Sequence, residues 1–137
     1  IDYEIAELMA SYKDPGLFVL DYAPNCDAKL IDEKAEKFFR ILRDAHPDVP
    51  VVFVALPPYP RQTFSTKQAT RMADINAAQL RVYQKLKKAG EKKIYYVKSE
   101  GMLGDDQEST VDGTHFTDLG MMRYVDHILP TIKKALK

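Results

Sequence analysis

Cys26 is the only cysteine in 137 residues. No disulfide can close within the chain, and no zinc site of cysteines can be assembled. An excess of charge of either sign is missing too. Twenty Lys and Arg balance 20 Asp and Glu, so the composition points to neither nucleic acid nor an anionic membrane as a partner. No apolar run reaches the length of a membrane span, and no stretch reads as a signal peptide; a chain that starts at Ile1 and not Met can have lost residues upstream. A glycine-rich phosphate loop is absent as well. The lysines at 85, 87, 88, 92 and 93 do cluster, but around a helix end, where they suit the macrodipole and solvent better than a phosphate. What remains is one domain's worth of chain, residues 1–137, long enough to bury a core.

Ile1, Ile5, Leu8, Met9 and Tyr12 share a helical face, closed by Asp14-Pro15-Gly16. Leu17 to Leu20 is a short continuous apolar run, the pattern of a strand buried on both faces. Asp27 caps a helix with the inner stripe Ile31, Ala35, Phe38 and Leu42, ending near His46-Pro47. Val51 to Ala55 reads as the next buried strand, followed by a proline-rich loop and a helix from about Thr66 to Ala89 with Met72, Ile75, Val82 and Leu86 inward. Gly90 ends that helix, and Ile94 to Val97 forms a third strand. A long loop, Lys98 to Phe116, leads to a closing helix capped by Thr117, with the apolar stripe Leu119, Met122, Val125, Leu129, Ile132 and Leu136. His46 reads as a surface residue at a helix end, His127 as exposed, and Pro130 as a kink.

Helix, then three strand–helix units with buried parallel strands, is the order of a doubly wound, three-layer α/β/α domain. A helix ahead of the first strand has no strand to return from, and three strands are few for helices on both faces. Element order therefore predicts at least one further strand upstream of Ile1.

In such sheets ligands bind outside the carboxyl ends of the strands. The three segments leaving the strands carry Tyr22-Ala23-Pro24-Asn25, then Tyr59, Arg61 and Phe64, then Asp112 and His115. An Asp three residues ahead of a His on irregular backbone can turn its carboxylate back to accept the imidazole Nδ1–H. That bond fixes the tautomer and frees Nε2 as a base. Alternatively Asp112 only shapes a turn with Gly113, and Asn25 only bonds backbone where its helix begins. Together, however, these residues supply a base, its orienting acid, a neutral donor for an oxyanion and an aromatic rim, the parts of an acyl-transfer site.

Asp112-Gly113-Thr114-His115, continuing Phe116-Thr117-Asp118-Leu119-Gly120, resembles the last sequence block of the SGNH, or GDSL-type, esterases and lipases. Leu20-Asp21-Tyr22-Ala23-Pro24-Asn25 is similar to the block that supplies their asparagine, with Ala23 where a Gly is usual and Cys26 where an Asp is usual. The resemblance implies the flavodoxin-like SGNH hydrolase fold, and His115 as general base with Asp112 as its orienter. It implies Asn25 as oxyanion donor, no cofactor and no metal, a small-molecule ester as substrate with acetyl groups on carbohydrate among the candidates, and an exported bacterial enzyme. Tyr59, Arg61 and Phe64 are candidates to line the substrate.

No Gly-Asp-Ser-like motif is present, so the resemblance places the nucleophilic serine upstream of Ile1, with this chain as the C-terminal part of the domain. Of the internal serines, Ser11 lies late in a helix and Ser65 at a helix start, while Ser99 and Ser109 lie in the long loop. None has the strand-to-helix turn that presents an activated serine. Asp105, Asp106, Glu108 and Asp112 form an acidic loop without calcium-hairpin spacing, better explained as solvated charge. Two other readings stand beside the hydrolase: a non-catalytic flavodoxin-like binding module, and an inactive fragment lacking its nucleophile.

Overall fold

A computed structural model describes residues 1–137. In chain order the elements are α1 (Tyr3–Ala10), β1 (Phe18–Leu20), α2 (Ala28–Ala45), β2 (Val51–Val54), α3 (Thr66–Lys88), β3 (Ile94–Val97) and α4 (Asp118–Ala135). Short 3-10 turns, Ala23–Asn25 and Pro60–Phe64, follow the first two strands. The long helices start where side-chain caps allow. Asp27 accepts the Leu30 N–H at 2.8 Å, Ser65 the Gln68 N–H at 3.3 Å, and Thr117 the Gly120 N–H at 3.1 Å.

The strands are parallel in the order β1-β2-β3, and register sets Leu20, Phe53 and Tyr96 in one row. Residues in one row face the same way. Phe53 lies 5.9 Å from Phe39 of α2 and 6.1 Å from Tyr83 of α3, and Tyr83 lies 5.3 Å from Tyr96, centroid to centroid. These two helices therefore cover that face, as right-handed crossovers require, and α1 packs on α2. From the other side α4 packs on β2 and β3. The result is three layers, with α1 to α3, the sheet and α4 in turn.

All four strand residues of β2 are buried, as are Ile31, Ala35, Phe38 and Leu42 of α2 and Met72, Ile75, Val82 and Leu86 of α3. Three expectations need correction. On α1 the expected face holds in part: Ile1 and Met9 pack against the core beside the buried Ala6, while Ile5, Leu8 and Tyr12 are more than half exposed. The helix leans on α2 through its small residue, and its polar-flanked edge is fixed by Tyr3 lying under Lys37 at 4.3 Å. On α4 the face turned to the protein is Gly120, Tyr124, Ile128 and Ala135; of the expected stripe Leu119, Met122, Val125 and Leu136 are exposed, Met122 at 65%, while Leu129 and Ile132 are half-buried. Finally β1 has a neighbour on one side only and Val19 is 37% exposed, so that strand is not buried on both faces.

The two histidines outside the long loop are also better anchored than expected. His46 is half-buried, with Nε2 2.9 Å from the Ala10 carbonyl and its ring 5.6 Å from Phe18. His127 is half-buried with Nε2 2.9 Å from the Lys98 carbonyl.

Candidate active site

Every segment leaving a carboxyl strand end falls on one edge of the sheet, and the loop between β3 and α4 forms its tallest wall. Near its end that loop doubles back. Thr110 and Phe116 pair as an antiparallel bridge, and the Val111 N–H donates to the His115 carbonyl at 2.9 Å. Residues 112–115 form the tip of this small hairpin. Gly113 turns it with φ +83°, and a side chain there would stand 3.5 Å from the Cβ of Arg61. The positive φ is what favours glycine here, and Arg61 of the proline-rich loop lies at ordinary contact distance outside the turn.

At the tip, Asp112 spends each oxygen separately. Its Oδ1 accepts the backbone N–H groups of Thr114 at 2.9 Å and His115 at 2.8 Å. Its Oδ2 lies 2.6 Å from His115 Nδ1. A carboxylate at that distance requires the proton on Nδ1, which leaves Nε2 with its lone pair. Nε2 makes no hydrogen bond in the chain, and the His115 side chain is 78% exposed. These bonds, the His115 backbone N–H first and its ring second, hold the Asp112 carboxyl down at about 2. Asp112 therefore stays ionised in neutral and mildly acidic solution.

Tyr59, expected at the rim, is only 4% exposed and packs 6.2 Å from the Phe116 ring, inside the wall beneath His115. Arg61 lies over the Tyr59 ring at 5.2 Å. Phe64 projects into solvent at 80% exposure, and nothing brings it to the hairpin. Asn25 ends the 3-10 turn after β1; its backbone N–H donates to the Tyr22 carbonyl at 3.0 Å and its exposed side-chain amide is uncommitted. No hydrogen bond links Asn25 to His115. Arg71 ties this turn to α3 through the Cys26 carbonyl at 3.1 Å.

Sequence reasoning missed three residues that shape this edge. Asp21, immediately after β1, accepts a 2.6 Å hydrogen bond from the Tyr124 hydroxyl of α4. Crowding at the strand end raises the Asp21 carboxyl above its ordinary value despite that bond. Tyr124 stacks 5.3 Å from Phe116, next to His115 in the chain, so β1 is braced against the hairpin. Arg123, one residue earlier, grips the long loop from below. Neither contact has a local signal, because Tyr124 and Asp21 lie 103 residues apart and Arg123 and Asp106 lie 17 apart. The acidic loop is not a free cluster either, since Asp106 is engaged by Arg123. A cleft of about 270 Å³ lined by Asn76, Tyr96, Lys98 and Ser99 opens elsewhere on this edge and does not include His115.

The family model for GDSL-like lipases and acylhydrolases matches residues 1–133. The chain belongs to that family. A solved protein described as a GDSL-like lipase from Bacteroides ovatus superimposes with a TM-score of 0.94 at 34% identity, covering 98% of this chain and 40% of that one. The salicylyl-acyltransferase SsfX3 of a tetracycline biosynthetic pathway gives 0.77 at 16% identity, over 99% of this chain and 43% of its own. A Clostridium thermocellum family 3 carbohydrate esterase gives 0.65 at 16% identity, over 98% of this chain and 67% of its own. The last two share the fold. No curated protein matches the sequence. The three parallel strands and their helices are thus part of the SGNH hydrolase fold, and the chain spans 40% of the length of the solved lipase. No helix is long and apolar enough to cross a membrane.

Proposed function

We propose that the protein is a serine ester hydrolase of the SGNH type, with residues 1–137 forming part of one catalytic domain. The observation that carries this reading is the His115 imidazole, anchored at Nδ1 by Asp112 and open at Nε2, on the ligand-binding edge of the sheet. His115 removes the proton of a serine hydroxyl as its oxygen bonds to the ester carbonyl carbon. The resulting oxyanion accepts from the Asn25 side-chain amide. Collapse breaks the bond to the alcohol, which leaves with the proton from His115, and water then releases the acid by the same route in reverse. Asp112 stabilises the imidazolium throughout without taking its proton.

The nucleophile is a serine outside these 137 residues. Three of the four internal serine hydroxyls are already committed. Ser11 donates to the Leu8 carbonyl at 2.7 Å, Ser65 caps α3, and Ser109, 1% exposed, donates to the Leu103 carbonyl. The substrate is a small acyl ester, with acetyl on carbohydrate favoured by the likeness to a carbohydrate esterase. Arg61 is our candidate to meet it, supported by its position beside the hairpin, while Tyr59 packs under Arg61 and against Phe116.

Fluorophosphonate labelling of the full-length protein, with the modified peptide mapped by mass spectrometry, tests this directly. The expected label is on a serine preceding Ile1. A label on Ser99 or Ser109 would keep the hydrolase and overturn the assignment of the nucleophile. A folded full-length protein that takes no label and turns over no ester would overturn the reading in favour of a binding module.

A further inference from the structure

The segment 98–117 that carries Asp112 and His115 has no regular secondary structure. A wall of that length keeps a base in register only if something holds its foot. Beside the buried Met102 and Leu103, the central hold is one guanidinium. Arg123, in the second turn of α4, donates from Nη1 to the Leu103 carbonyl at 3.0 Å, to Asp106 Oδ1 at 2.6 Å and to Ser109 Oγ at 3.0 Å, and from Nη2 to Asp106 Oδ2 at 2.7 Å. The fork on the carboxylate is bidentate, the geometry in which Arg is strongest and Lys cannot substitute. Gly104 makes room for it. A Cβ there would stand 2.8 Å from Arg123 Nη1, and its φ of +75° also favours glycine.

From this grip the connection to the hairpin is short. Ser109 is buried, and its carbonyl accepts the Thr117 N–H at 3.1 Å. The Thr117 hydroxyl donates to the Glu108 carbonyl at 2.9 Å, closing the same base from its other strand. The next pair up, Thr110 and Phe116, forms the bridge, and Val111 then bonds the carbonyl of His115. We propose that Arg123 is the positioning residue of the site, fixing through Asp106 and Ser109 the base of the hairpin whose tip aims His115. It touches no reacting atom. Arg123 holds the Asp106 carboxyl far below its ordinary value, so the pair stays charged in moderate acid. The orienting role stands on geometry alone, while its effect on turnover rests on the hydrolase reading.

Full-length protein labelled with ¹⁵N-histidine and ¹³Cγ-aspartate separates the two. Arg123→Met, Arg123→Lys and Asp106→Asn are compared by the His115 tautomer, the Asp112 titration and steady-state ester turnover. In Arg123→Met the Asp112 midpoint is expected to climb from about 2 back towards 3.8, and the Nδ1–H tautomer of His115 to lose population. The rate constant kcat should fall about 10- to 100-fold with KM within about twofold, because the aim of the base changes and ground-state binding does not. Arg123→Lys recovers part of each signal, and Asp106→Asn falls between. If Arg123→Met does not fold, Asp106→Asn carries the same readouts with the arginine in place.

A variant with a lowered melting temperature but an unmoved Asp112 midpoint, tautomer and kcat would overturn the proposal and reduce Arg123 to a structural bond. Shifted resonances in a protein that turns over no ester, wild type included, would sustain the positioning role and overturn the hydrolase reading instead.

Discussion

Asp112 divides its work between its two oxygens, and a single atom change separates them. In Asp112→Asn the side-chain oxygen can still accept the Thr114 and His115 backbone N–H groups that Oδ1 accepts at 2.9 and 2.8 Å. Facing Nδ1, however, stands an N–H donor where Oδ2 was, and the imidazole is driven to the opposite tautomer with its proton on Nε2. The base is lost while the turn survives. The expected outcome is a fall in kcat of about 10⁴, the scale for a mis-set tautomer in such a triad, with a melting temperature close to that of the parent. Steady-state kinetics and a thermal melt on one sample check it; wild-type turnover would remove Asp112 from the mechanism. The pH dependence follows from the same bonds. The folded carboxyl is depressed to about 2 from 3.8, so its contribution to the turn is complete above the ordinary carboxylate value and fades only as pH falls towards 2. Asp112 therefore adds no titration of its own near neutrality.

At the scale of elements, the start of α4 shows why a glycine sits five residues after His115. A Cβ on Gly120 would lie 2.0 Å from the Ser109 carbonyl oxygen and 3.2 Å from the Cβ of Phe116. Backbone on one side leaves nothing to swing away, so Gly120→Ala must push the helix off the loop. A loss of about 1 to 3 kcal/mol is expected, the range for overpacking a tight contact, together with a drop in kcat as the hairpin base moves. Denaturant unfolding followed by kinetics on the folded fraction measures both, and an unchanged midpoint would mean that the contact relaxes freely.

This junction also marks how far sequence reading reaches. α2, α3, β2 and β3 lie where caps and apolar period put them, because each buries its face against neighbours within the chain. On α1 and α4 the apolar period and the packed face agree only in part. Periodicity reports which side of a helix is apolar, and on α4 that side, Met122 and Val125 among it, is not the side packed on β2 and β3. The packed side relies on Gly120 and Tyr124, one without a side chain and one half polar, which carry little hydrophobic signal. The Asp112–His115 bond was legible because it is local. Tyr124 with Asp21 was not, since no rule of spacing spans the fold, and Tyr59, which sequence alone puts at the rim, has its ring buried in the wall.

Across the whole molecule, chemistry and stability occupy opposite ends of the sheet. At the amino edge Arg43 of α2, 9% exposed, gathers the turns that lead into β2 and β3. It donates to the carbonyls of His46 at 3.1 Å, Pro47 at 2.9 Å, Val49 at 2.7 Å and Lys92 at 3.2 Å. Its Nε lies 3.3 Å from Glu91, which Arg40 also contacts. Removing this side chain takes a shared donor from four carbonyls and leaves the mostly buried Glu91 carboxylate to Arg40 alone, and leaving buried acceptors unpaired costs about 1 to 3 kcal/mol. Arg43→Met fills most of the volume and none of the bonds. It should therefore unfold at markedly lower denaturant, while the fraction still folded keeps the Asp112 midpoint, the His115 tautomer and kcat of the parent, because nothing at the carboxyl edge has moved. Asp112→Asn gives the opposite pattern, with activity lost and stability kept. If Arg43→Met lost kcat in proportion to stability, the two edges would be coupled through the strands, and the division of labour along the sheet would fail.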